Sequence, residues 1–157
     1  MNWTANQYAE LGKRLAAGGV RVAITGGPSE AALTAAVAGA IGAAATDLCG
    51  ALSVPQLAAL LRRCMLYVGS ATGPSHLAAA VGVPVLALYS PLRSSVPARW
   101  GPLGPHVRVM QPAVDLICAK CLGPQCGYFH CMHRHLSVDE VERVAQQVLR
   151  STTDHRA

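Results

Sequence analysis

The chain has 157 residues, of which 52% are apolar and only 4% aromatic, with a formal net charge of +5 at pH 7. That length predicts one domain with a sizeable buried core, and no apolar run reaches the ~18 uninterrupted residues that a membrane span needs. The charge reflects a shortage of acidic residues: Arg62-Arg63 and the scattered Arg93, Arg99, Arg108 and Arg134 form no block of the kind that binds nucleic acid, and suit a phosphorylated small molecule, an anionic membrane surface or simply a solvated face.

No basic stretch followed by an apolar one opens the chain, so no secretory signal is expected and a cytoplasmic location is. Tyr8, Leu11 and Leu15 with Ala16 recur at helical spacing, and Gly18-Gly19 stops that helix. Val20–Thr25 alternates and β-branches like a strand. Gly26-Gly27-Pro28-Ser29-Glu30 then turns into a helix expected from Ser29 to about Ile41. Thr46–Cys49 reads as a short strand, and Ser53 as the N-cap of a helix through Leu61.

Residues 65–77 carry the most information. The apolar run Met65–Val68 ends in Gly69, small hydroxyl and glycine residues follow, and an alanine-rich helical pattern begins at Pro74. A strand, turn and helix in that order present free backbone N–H groups and a helix dipole to an anion. Pro74 suits the first turn, where its missing N–H would have had no helical partner. Ser70 and Thr72 offer hydroxyls, Gly73 permits close backbone approach, and His76 lies one turn into the helix. An ordinary turn capped by Thr72 is the plain alternative. Val83–Tyr89 follows as a second strand and closes a βαβ unit.

Pro91–Pro105 is rich in Pro, Gly and Arg and reads as a long ordered loop, with His106–Met110 a further strand. Cys118, Cys121, Cys126 and Cys131 fall within fourteen residues, with His130, His133 and His135 beside them. Three readings stand: a structural zinc held by four soft ligands, disulfides, which a reducing cytoplasm disfavours, or reduced thiols packing as small hydrophobes. Cys49 and Cys64 read as structural. Ser137 and Glu140 form a capping-box pattern ahead of a helix at 137–150, striped by Val141, Val144, Ala145, Val148 and Leu149. The expected organisation is one domain over 1–150, with a cysteine-rich loop at 118–131 and a frayed tail at 151–157.

Alternating helices and strands predict an α/β fold, a Rossmann-like doubly wound parallel sheet. Such sheets bind ligands at the carboxyl ends of their strands. The turns Thr25–Glu30, Gly69–His76 and Ser90–Trp100 lie on that edge and are expected to line one cleft. Neither G-x-G-x-x-G nor a P-loop is present. Gly26-Gly27 with Glu30 offers a ribose-binding carboxylate beside glycines that admit a ligand to the backbone, or else Glu30 is only a partner of its own helix dipole. Candidate ligand-binding residues are therefore Thr25, Gly26, Gly27, Glu30, Ser70, Thr72, Gly73, Pro74 and His76.

Four blocks in order resemble the C-terminal domain of the bacterial heptosyltransferases of glycosyltransferase family 9, which transfer ADP-heptose onto lipopolysaccharide inner core. They are Asn2-Trp3 with the helix behind it, Val22–Glu30, Asp47–Val68, and Gly69–Pro91 with its Thr-Gly-Pro-x-His-Leu-Ala-Ala-Ala core. Arg99–Gly104 and the cysteines before the last helix are also similar to members of that family. The resemblance implies the C-terminal half of a GT-B glycosyltransferase, whose two Rossmann-like domains face each other across a cleft. It implies inverting transfer from a nucleotide-diphosphate sugar to a lipopolysaccharide or related glycan acceptor, with no metal in the chemistry and peripheral contact with the inner membrane. Under it, Thr72 and Gly73 contact the diphosphate with His76 nearby, and Glu30 falls near the ribose-binding carboxylate. Two departures stand out. Ala71 occupies a place that is acidic in many members, and the N-terminal acceptor domain, where the catalytic base is expected, is absent. Asp115, Asp139 and Glu140 carry no mark of a substitute base. A non-catalytic nucleotide-binding fragment and a metal-stabilised interaction module are the alternatives.

Overall fold

Residues 2–114, 117–122, 125–127 and 130–154 are described by a computed structural model of the chain. They fall into two compact units: Thr4–Leu57 forms the smaller, and the other described residues form the larger. Asp115, four residues inside the cysteine-rich loop and the last three of the expected frayed tail lie outside the described residues.

The smaller unit opens with α1 (Ala5–Ala17), whose N-terminus is closed by a reciprocal capping box. Thr4 Oγ1 accepts the Gln7 N–H at 3.3 Å, and Gln7 Oε1 accepts the Thr4 N–H at 3.1 Å, so two otherwise orphaned amides are satisfied. β1 (Val22–Ile24) pairs in parallel with β2 (Ala45–Asp47), Val22 opposite Ala45 and Ile24 opposite Asp47. Between them runs α2 (Ala31–Ile41), preceded by a single 3-10 turn at Pro28–Glu30. Its start at Ala31 therefore falls two residues later than the sequence suggests. Gly12 lets α1 approach α2 closely, since a Cβ there would run into the Ile41 side chain. The buried Thr34 hydroxyl lies 3.1 Å from both the Ala31 carbonyl and Asp47 Oδ2, tying α2 to the end of β2.

After α3 (Val54–Leu61), the larger unit is built on β3 (Tyr67–Ser70), α4 (Gly73–Ala80), β4 (Val85–Leu88), α5 (Pro97–Trp100), β5 (Val107–Met110), α6 (Cys131–Arg134) and α7 (Val138–Asp154). The strands form a parallel sheet in the order β3-β4-β5, with Ser70 opposite Leu88 and Leu88 opposite Met110. A strand covered on both faces reads as a continuous apolar run, and every residue of β4 is buried. Val141, Ala145 and Val148 on one stripe of α7 are buried, as is Ala78 of α4. Each such Val or Leu stabilises the fold by about 1.5–3 kcal/mol on burial.

The α/β class and the all-parallel pairing agree with the alternating pattern in the sequence. Among the described residues the one doubly wound sheet expected is divided in its pairing, β1 with β2 and β3, β4 and β5 together. Local alternation marks a strand but says nothing of which neighbour it takes. The loop expected over Pro91–Pro105 contains a 3-10 turn at Arg93–Ser95 and the short α5, where Pro97 fixes the first helical turn. At the other end α7 continues to Asp154, four residues beyond the expected 150.

Candidate functional site

The carboxyl edge of the larger sheet begins at Gly69. A Cβ at this buried position would collide with the ring of Tyr67 two residues earlier, so glycine here makes room for the Tyr67 side chain as it stands. Ala71, Thr72, Gly73 and His76 are exposed, and Pro74 is half-buried. Thr72 takes extended backbone angles as the N-cap of α4, yet its side chain makes no capping bond. Its N–H donates to the Ser70 carbonyl at 2.8 Å, and its hydroxyl turns toward the same carbonyl at 3.4 Å.

The turn is held from beneath by Ser75. This serine is fully buried, and both its N–H and its hydroxyl donate to the Thr72 carbonyl, at 3.1 and 2.6 Å. Pro74 brings no N–H, and a Cβ added at Gly73 would meet nothing within 4 Å. The result is an exposed helix start with Thr72 before it, Gly73 opening it and His76 in its first turn. The positive end of a helix dipole is suited to an anion.

Beside it lies the exit of β4. Tyr89 is buried, its hydroxyl donates to the Trp100 carbonyl at 2.5 Å, and burial pushes its pKa up from the ordinary tyrosine value. The Ser90 and Ser95 hydroxyls lie 3.3 Å apart. The exposed Arg99 places its guanidinium 5.2 Å from the centre of the Trp100 ring, within cation–π range. Ser75 and Tyr89 are organising residues that the sequence reading missed. The signal for Tyr89 was there, a polar tip ending an apolar run; for Ser75 there was none, since any small residue fits the helical pattern.

In the smaller unit, Thr25 and Gly26 are half-buried, whereas Gly27 and Glu30 are exposed. Glu30 Oε2 accepts the Gly27 N–H at 2.8 Å, so this carboxylate closes its own turn. A Cβ at Gly26 would lie 3.2 Å from that same Oε2. The Gly50 N–H donates to the Gly26 carbonyl at 2.9 Å, and Cys49 Sγ donates to the Gly27 carbonyl at 3.0 Å. Cys49 thus holds the Gly26-Gly27 turn, and Cys64 Sγ bonds back to the Leu60 carbonyl at 3.4 Å. Thr25, Gly26, Gly27 and Glu30 are brought together in the smaller unit; Ser70, Thr72, Gly73, Pro74 and His76 are brought together in the larger.

Cys118, Cys121, Cys126 and Cys131 are all thiols, Cys121 exposed and the others half-buried. Burial pushes the Cys131 pKa up, the Met132 amide pulls it down, and Cys118, Cys121 and Cys126 each push it up again through their charge. Among the described residues, no helix is long and apolar enough to cross a membrane.

The sequence profile of glycosyltransferase family 9 (heptosyltransferase) matches residues 2–131. Lipopolysaccharide heptosyltransferase 3 of Escherichia coli is 30% identical over 90 residues, covering 55% of this chain and 26% of that protein. The structure of E. coli ADP-heptose lps heptosyltransferase II superposes with a TM-score of 0.79 at 24% identity, over 99% of this chain and 43% of its own. E. coli heptosyltransferase WaaC with ADP gives 0.72 at 23% identity, over 93% and 39%. These structural likenesses are likenesses of fold, and the chain spans less than half the length of each of these relatives. With its profile running through all five strands and through α1 to α5, the chain belongs to glycosyltransferase family 9.

Proposed function

We propose that the Ser70–His76 corner holds the diphosphate of a nucleotide-sugar donor, and that the chain is the donor-binding, C-terminal part of a heptosyltransferase-type GT-B enzyme. The observation that carries this reading is the exposed, uncapped start of α4 at the carboxyl edge of a parallel sheet, in a chain of this family. One family member of the same fold has been solved with ADP, which supports an adenine nucleotide as the first ligand to test.

Transfer would proceed by direct displacement. A base takes the proton from an acceptor hydroxyl of a lipopolysaccharide or related glycan. The oxygen then attacks the anomeric carbon opposite the departing diphosphate. Negative charge grows on the diphosphate as the bond breaks, and the α4 dipole, the Gly73 backbone, the Thr72 hydroxyl and the His76 ring stabilise it. Groups fixed in advance do this well because they need no reorganisation during the reaction. In this reading the base comes from the acceptor-binding domain of such an enzyme, and the residues named here contribute donor binding.

Calorimetric titration with ADP and an ADP-sugar tests the assignment. The parent chain binds both, and Thr72→Val and His76→Ala each weaken binding about tenfold or more, the loss expected for one hydrogen bond to a charged group. ADP binding that neither substitution touches would overturn the assignment, as would robust transfer by the purified chain.

A further inference from the structure

We infer that the crossover from β4 to β5 is a membrane-contact surface: Trp100, Leu103 and Val109 enter the headgroup region of a bilayer that carries anionic lipids, while Arg99 meets the phosphates. The patch lies outside the Ser70–His76 corner and does not depend on the reading of that corner. Leu103 is 89% exposed, Trp100 51% and Val109 39%. The fold fixes them in that state. The Tyr89 hydroxyl donates to the Trp100 carbonyl, and the Gly101 N–H donates to the Pro97 carbonyl at 2.7 Å. A Cβ at Gly101 would lie 2.5 Å from that same oxygen, so the chain turns tightly after Trp100. Pro102 is buried, which leaves the indole and Leu103 outside on either side of it. A Cβ at Gly104 would lie 3.8 Å from Ala79 of α4 and 3.5 Å from the Val107 side chain, so the crossover runs over the face of the sheet that α4 covers. Side chains alternate along a strand, and Val109 therefore shares that face with Val107. Pro97, Pro102 and Pro105 restrict the loop, so little conformational freedom is lost when it docks.

Charge and size favour a bilayer over a protein as the occupant. From residue 48 to residue 114 the sequence holds Arg62, Arg63, Arg93, Arg99 and Arg108 and no Asp or Glu. All five arginines are exposed. The Arg99 guanidinium lies 5.2 Å from the centre of the Trp100 ring, which places a cation beside an amphipathic ring, the pairing that suits a membrane–water interface. A basic side chain there gains from the negative potential of anionic lipids. Three apolar side chains are few for a stable protein interface, which takes about 20–30 residues a side. Reversible contact with a bilayer needs only a modest apolar area added to electrostatic attraction.

Co-sedimentation of the full chain with vesicles of phosphatidylglycerol and phosphatidylcholine, against vesicles of phosphatidylcholine alone, tests this without any nucleotide. The chain pellets with the anionic vesicles, far less with the neutral ones, and added salt releases it. The sequence has two tryptophans, and Trp3 is buried at 3%, so a blue shift of indole emission on binding reports Trp100. Arg99→Gln and Leu103→Ser each lower the partition coefficient about fivefold, and circular dichroism stays unchanged because both side chains are exposed. Leu33→Ser, at an exposed leucine of the smaller unit, leaves partition as it is in the parent. No pelleting, equal pelleting with neutral vesicles, or unshifted emission overturns the proposal. So does an equal loss in Leu33→Ser, or pelleting without vesicles, which would assign the patch to contact between copies of the chain.

Discussion

The indole N–H of Trp3 donates to the main-chain carbonyl of Leu136 at 2.9 Å, across 133 residues of sequence. Both residues are buried, at 3% and 2% exposure, and Leu136 lies two residues before the start of α7 at Val138. Trp3 therefore sets the position of the last helix. Trp3→Phe keeps most of the ring and removes the indole hydrogen bond, a loss of about 0.5–1.5 kcal/mol. Trp3→Ala adds a cavity and costs about 3–5 kcal/mol. Urea denaturation should rank the two in that order, with ADP affinity of the folded Phe variant unchanged.

Gly73 separates ligand binding from folding. Its backbone is not left-handed, and a Cβ there meets nothing, so Gly73→Ala should leave stability unchanged or raise it by about 0.4–1 kcal/mol. If the diphosphate approaches this backbone closely, the new methyl occupies its path, and ADP affinity falls about tenfold, equivalent to about 1.4 kcal/mol. Thermal unfolding and calorimetry on the same sample read the two effects apart. Undiminished affinity would remove Gly73 from the contact.

Glu140 gives the chain an acid-sensitive helix start. Its carboxylate accepts the Ser137 N–H at 2.9 Å and the Ser137 hydroxyl at 2.7 Å, and these bonds, backbone first, hold its pKa below the usual 4.5. A carboxylate depressed on folding stabilises above its unfolded value, and that contribution is lost as pH falls through the lower folded value. The parent should therefore lose melting temperature on acidification below 4.5 more steeply than Glu140→Gln. The difference will be small because the pair is exposed.

Gly12 and Ile41 make a coupled pair in the smaller unit. Gly12→Ala drives a methyl into the Ile41 side chain, and overpacking of this kind costs about 1–3 kcal/mol. Ile41→Val removes the terminal methyl in its way, so the double variant should recover part of the loss. A double-mutant cycle by chemical denaturation should give a nonzero coupling. Strict additivity would show that the helices relax apart.

Local signals in this sequence map well onto local structure. The stripe of α7, the Ser137–Glu140 box and the strand-turn-helix around Pro74 could all be read directly, because each depends on neighbours within a few residues. The Thr4–Gln7 box is equally local. Pairing was not legible: three- and four-residue strands such as Val22–Ile24 and Tyr67–Ser70 carry no mark of their partners. Nor was the present state of Glu30, whose residue type suits a ribose as well as it suits the Gly27 amide it holds. The close approach of Gly69 to the Tyr67 ring depends on the rotamer of Tyr67, which no spacing rule reports.

The Thr72 hydroxyl turns away from the amides of α4, so this helix starts without the plug that Thr4 gives to α1. A docking anion would serve as that missing end-piece. The Ser75 amide is already spent on the Thr72 carbonyl at 3.1 Å, so the first amide such a guest would meet is that of Gly73, on a frame that needs no rebuilding to receive it. Amide hydrogen exchange at Gly73 should accordingly slow in step with saturation by ADP, while exchange at Ser75 and in the middle of β4 stays unmoved.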